Sequence, residues 1–119
     1  MSRSVLIVDD EFGLADITAD LLRDIGYEVV IAINGKAGLA SLATHPVDLV
    51  IVDLMMPVMD GPEMIAQMRA DARLAAIPVI LMTALPEAIK GDTGANATLV
   101  KPFAFKELLG TIDRLLKRP

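Results

Sequence analysis

Five short apolar runs, rich in Val, Ile and Leu, punctuate the chain, and segments of helical periodicity lie between them. The runs are Val5–Val8, Val29–Ile33, Leu49–Val52, Val79–Met82 and Leu99–Val100. Each is too short for an ordinary helix and nearly continuous, which is how strands buried on both faces read. The first intervening segment places Leu14, Ile17, Leu21, Leu22 and Ile25 three and four apart, which predicts an inward apolar face, and Gly26 follows as a stop. Asn34 suits the cap of a second helix with Leu39 and Leu42 facing inward. Pro62 suits the first turn of a third, with Met64, Ile65 and Met68 inward. A last helix is predicted from about Ala104 to Lys117, carrying Leu108, Leu109, Ile112, Leu115 and Leu116. Alternating strand and helix implies an α/β fold, a parallel sheet with right-handed crossovers and helices on both faces.

One stretch breaks the alternation. Between Met82 and Leu99 a helix is due, but Gly91 and Gly94 interrupt the segment and Asp92, Thr93 and Asn96 favour turns. At most about one turn of helix is expected there, near Pro86–Lys90.

Length and charge narrow the function classes. The 119 residues fit one domain, read as residues 1–119. A net charge of −5 argues against direct contact with nucleic acid, which needs a basic face. Without cysteine there is no disulfide framework and no thiolate metal site. No apolar segment approaches the ~20 residues that span a bilayer, and acids follow the short run near the N-terminus, unlike a signal peptide. The expectation is a soluble cytoplasmic domain without a membrane partner.

In a parallel sheet the carboxyl ends of the strands share one edge, where ligands bind. Asp9, Asp10 and Glu11 follow the first strand, Asp53 ends the third, Thr83 follows the fourth and Lys101 ends the fifth. Each alone is also what a turn or a helix cap uses; together they converge. Clustered carboxylates raise each other's pKa unless a cation joins them. Oxygen ligands without His or Cys suit a hard cation, Mg²⁺ above all. With a lysine and a hydroxyl beside it, such a cluster suits a phosphoryl group, and Asp53 can be a nucleophile forming an acyl phosphate.

The stretches VLIVDDE, DLMMPVMDG, ILMTA and LVKPF resemble, in the same order, the four signatures of response-regulator receiver domains, the chemotaxis-regulator-like modules of two-component signalling. The resemblance implies a flavodoxin-like five-stranded parallel sheet of order 2-1-3-4-5. By its motifs Asp53 resembles the phosphoacceptor, Asp10 the direct Mg²⁺ ligand and Asp9 an acid acting mainly through water. Asp53 and the Met55 carbonyl would complete the protein's metal ligands. Lys101 would pair with the phosphoryl oxygens, Thr83 would hydrogen-bond one, and the backbone N–H groups of Met55 and Ala84 would donate to others. Pro57 and Gly61 would shape the loop after Asp53, and Lys101–Pro102 resembles a bond that is usually cis. The implied partner is a sensor histidine kinase or a histidine phosphotransfer protein. The implied activity is self-phosphotransfer and autodephosphorylation, without turnover of other substrates. A phosphorylation-linked dimer is compatible with the resemblance, and the downstream effector is left open.

The sequence departs from that family in two places. The interval from Thr83 to Lys101 is shorter than usual by roughly one helical turn, so the fourth helix is expected to be reduced or absent. Thr98 stands where the family usually has Tyr or Phe. Other readings have weaker support. A flavodoxin-like cofactor binder needs a phosphate cradle where DDEFG stands. An aspartyl phosphatase would usually carry a second acid two residues after Asp53, where Met55 stands. A pseudo-receiver serving only as an interaction domain would not need the intact acids, Thr83 and Lys101.

Overall fold

A computed structural model describes residues 3–117; the outermost two residues at each end of the expected 1–119 domain, and the side chain of Phe12, lie outside the described parts. The strands are β1 (Ser4–Val8), β2 (Glu28–Ala32), β3 (Leu49–Asp53), β4 (Val79–Thr83) and β5 (Ala97–Val100). The helices are α1 (Phe12–Asp24), α2 (Gly35–Thr44), α3 (Gly61–Ala70) and α4 (Phe105–Leu116). All pairings are parallel, in the order β2-β1-β3-β4-β5. This is the flavodoxin-like sheet that the resemblance implied. Its two faces carry separate apolar cores. One packs α1 and α4 through Ala19, Leu22, Leu108 and Ile112; the other packs α2 and α3 through Leu42, Met64, Ile65 and Met68.

Local signals account for the element ends. Asn34 Oδ1 accepts the Ala37 N–H at 2.8 Å and caps α2 as expected. Asp60 and Glu63 form a reciprocal capping box at the start of α3, a signature legible in DGPE. A Cβ on Gly61 would strike the Asp53 carbonyl oxygen, so only glycine lets α3 begin this close to the end of β3. At the opposite edge Arg3 Nη1 donates to the Leu116 carbonyl at 2.8 Å, joining the start of β1 to the end of α4.

The inward face of α1 differs from the expected one. Ala15, Ala19 and Leu22 are buried, whereas Leu14, Leu21 and Ile25 are exposed and Ile17 is 60% exposed. The helix carries two apolar stripes, separated by about a third of a turn. The alanines face the sheet because small side chains let the helix lie close to it, and of the five predicted residues only Leu22 shares that side. The bulkier stripe is left at the surface.

The expected shortening after β4 is present. The missing helix is reduced to a single 3₁₀ turn, Pro86–Ala88, followed by an irregular segment with positive φ at Gly91 and Gly94. Arg69 of α3 holds that segment down. Its guanidinium donates to the Gly94 carbonyl (2.9 Å), Asn96 Oδ1 (2.9 Å) and the carbonyls of Ala75 (3.0 Å) and Ile77 (2.8 Å). Gly94 takes φ 81°, and a Cβ there would meet Ile65 at 2.9 Å. Because Leu99 enters the core shared with α1 and α4, alternation turns Thr98 and Val100 to the other face, where both are exposed.

Candidate functional site

The carboxyl ends of β1, β3, β4 and β5 bring the predicted residues to one edge. One carboxylate oxygen each from Asp9, Asp10 and Asp53 lies within 4.8 Å of the others. Lys101 Nζ stands 3.1 Å from Asp53 Oδ1, 3.5 Å from Glu11 Oε1 and 3.6 Å from Asp9 Oδ2. The Lys101–Pro102 peptide is cis. The Thr83 hydroxyl is buried and accepts the Leu85 N–H at 2.9 Å.

Asp9 is 1% exposed. Its Oδ1 accepts the Glu11 N–H at 2.9 Å, while its buried Oδ2 has no hydrogen-bond donor. The Lys101 ammonium, 3.6 Å away, is its counter-charge without bonding to it, and a buried oxygen so placed gains from a closer cation. Burial raises the pKa of Asp9, opposed by the Glu11 N–H and by Lys101. Burial likewise raises Asp53, opposed by the hydrogen bond and charge of Lys101. For Lys101 burial works against the ammonium, but the hydrogen bond and charge of Asp53, helped by Asp9 and Glu11, outweigh it and raise the pKa. Three close acids, all oxygen ligands, one with an unsatisfied buried oxygen, are a donor set that fits Mg²⁺.

Two openings lie at the acid cluster. A pit of about 120 Å³ is lined by Glu11, Asp53, Thr83 and Lys101, with Met55, Ala84 and Leu85 at its rim. A second depression, of about 320 Å³, is lined by Asp10, Met55, Met56, Pro57 and Asp60. In the loop between them Val58 takes φ 72°, a conformation unfavourable for a β-branched side chain. A groove of about 430 Å³ lies at the opposite edge between α2 and α3 and holds none of these groups.

Sequence reasoning located every one of these acids but gave Glu11 no role. Its signal was position alone, directly after an acidic pair. It also missed the exposed α1 stripe, which joins Pro102, Phe103 and Phe105 in a groove of about 290 Å³ with Lys101 at its margin.

Known proteins resemble this chain throughout. The model of the response regulator receiver domain matches residues 5–113. The DNA-binding dual master transcriptional regulator RpaA of Synechocystis sp. is 38% identical over 118 residues, covering 96% of this chain and 49% of that protein. The chain spans about half the length of the curated relatives it matches. The chemotaxis response regulator CheY4 of Vibrio cholerae has a TM-score of 0.89 at 33% identity, covering 98% of this chain and 100% of that one. The response regulator TrrA of Thermotoga maritima, solved in complex with Mg(2+)-BeF, has a TM-score of 0.87 at 31% identity, covering 96% of this chain and 99% of that one.

Proposed function

Since the chain belongs to the response regulator receiver domain family, we propose that it accepts a phosphoryl group on Asp53 from a histidine kinase or a histidine phosphotransfer protein. The observation that carries this reading is the Lys101 ammonium 3.1 Å from Asp53 Oδ1 inside a cluster of three acids. Receiver domains bind Mg²⁺ at an acidic pocket. Here Asp10, Asp53 and the Met55 carbonyl would hold it, with Asp9 acting through water, and when bound it supplies positive charge to the phosphoryl oxygens.

The chain's own groups do the rest. An Asp53 carboxylate oxygen attacks phosphorus in line as the donor's P–N bond breaks. Lys101 donates to a phosphoryl oxygen, the Thr83 hydroxyl donates to another, and the N–H groups of Met55 and Ala84 complete the cradle. Autodephosphorylation ends the signal, and no other substrate is turned over.

The exposed α1 stripe favours a protein as donor. Leu14, Ile17 and Leu21 with Phe103 and Phe105 form an apolar surface that shares Lys101 with the acid pit. A donor helix seated there would bring its phosphohistidine to Asp53. A donor charged by ATP also puts the domain in the cytoplasm, and among the described residues no helix is long and apolar enough to cross a membrane.

The test is incubation with Mg²⁺ and acetyl phosphate, followed by intact mass. The wild type should gain one phosphoryl group and Asp53→Asn none. No adduct on the wild type would favour a pseudo-receiver that acts only as an interaction domain.

A further inference from the structure

An ammonium has three N–H donors, and Lys101 Nζ faces three carboxylates. They are Asp53 at 3.1 Å, Glu11 at 3.5 Å and Asp9 at 3.6 Å. Only Asp53 lies at hydrogen-bonding distance; Glu11 and Asp9 hold the ammonium as ion pairs, and a phosphoryl oxygen that reaches Lys101 enters among them and loosens the one most easily released. Asp53 is the acceptor itself and stays attached to the group. Asp9 is buried, and losing Lys101 would leave an uncompensated interior charge. The Glu11 side chain is 65% exposed against 12% for Lys101, so on leaving it returns to water and gives up an ion pair that is solvated on its own side. Its backbone is fixed at the rim by the N–H donated to Asp9 Oδ1, and its side chain lines the same pit as Asp53 and Thr83.

We propose that Glu11 is a positioning residue that holds the Lys101 ammonium in the resting protein and is exchanged for a phosphoryl oxygen when Asp53 is phosphorylated. The inference rests on the phosphoryl-accepting function proposed above. Glu11 thereby competes with the phosphoryl group for its main cationic partner. Removing its charge should favour the occupied state, and only while Lys101 is present.

The probe is beryllofluoride at saturating Mg²⁺, titrated by amide NMR because the chain has no tryptophan. Wild type, Glu11→Gln, Lys101→Ala and the double variant form a cycle. Glu11→Gln should bind about two- to fivefold tighter than wild type, the range expected of an exposed ion pair. The gain should shrink at high salt and vanish in the Lys101→Ala background. The ¹⁵N resonance of the Lys101 ammonium, read in the resting protein, should shift in Glu11→Gln. Equal affinities of wild type and Glu11→Gln overturn the proposal. An equal gain with and without Lys101 also overturns it, because simple repulsion by Glu11 would then suffice. So does an unmoved Lys101 resonance. Wild type that binds no beryllofluoride and takes no phosphoryl group removes the function and this inference together, whereas an occupied wild type with an indifferent Glu11 removes the inference alone.

Discussion

Asp53 sits in the fold at a cost. Burial pushes its pKa up, and Lys101 only partly restores the charged form. A carboxyl whose folded pKa lies above its unfolded value binds its proton more tightly when folded. Its ionisation therefore removes stability as pH rises from the unfolded value, about 3.9, through the raised folded one. Asp9 adds to the same trend. In chelator at neutral pH, Asp53→Asn should be more stable than wild type by about 1 kcal/mol, the scale of relief at a strained functional site. The difference should narrow as pH falls through the raised folded value toward the unfolded one, because the wild-type carboxyl takes up its proton over that window. Thermal melts in EDTA at neutral pH and across that window measure it, and a lower midpoint for Asp53→Asn at neutral pH would make Asp53 a structural residue. At this scale the site was legible because each acid follows an apolar run. Glu11 was not, because its role depends on where the Lys101 side chain reaches, and spacing along the chain does not contain that.

Among the elements, the segment after β4 shows how a fold does without a helix. Arg69 ties that segment to α3, and its donors satisfy carbonyls of the α3–β4 connection and of the irregular segment at once. Arg69→Ala leaves the partly buried carbonyls of Ile77 and Gly94 without this partner and should cost about 2–4 kcal/mol in urea unfolding. Lysine should not rescue it, since one ammonium cannot span the fork of sites that a guanidinium reaches. Hydrogen exchange should rise first around Gly94–Asn96; unchanged exchange there would mean that the segment holds itself. The glycines and turn formers announced the loss of the helix, but nothing in periodicity announced the clamp. The α1 helix errs in the other direction. Its leucines and isoleucines form the stronger sequence stripe, yet Ala15 and Ala19 set the contact with the sheet. Apolar periodicity alone does not say which of two stripes a neighbour will cover.

For the whole molecule, the sheet gathers four strand ends into one edge and leaves the rim of the pit apolar. Alternation of strand and helix was legible from the residues; the order of the strands was not, and came from the resemblance, because order is a matter of contacts across the sheet. Met55 and Leu85 flank Asp53 at the rim and are both exposed. Neither can orient the water that hydrolyses an acyl phosphate, so the domain should hold its signal for long. Met55→Asn with Leu85→Glu should accelerate decay of the phosphorylated protein by about tenfold or more, by supplying groups that position water. Decay followed by intact mass decides it, and an unchanged rate would free these two residues from setting the lifetime. The Arg3–Leu116 hydrogen bond has a separate consequence, for sensor engineering. The first strand and the last helix meet, so a short linker can close the domain into a ring that is then reopened at exposed Gly91. Such a circular permutant keeps every strand pairing and should retain the amide spectrum of the core, and a fluorophore pair on its new ends would report whether the segment that Arg69 ties down separates from α3.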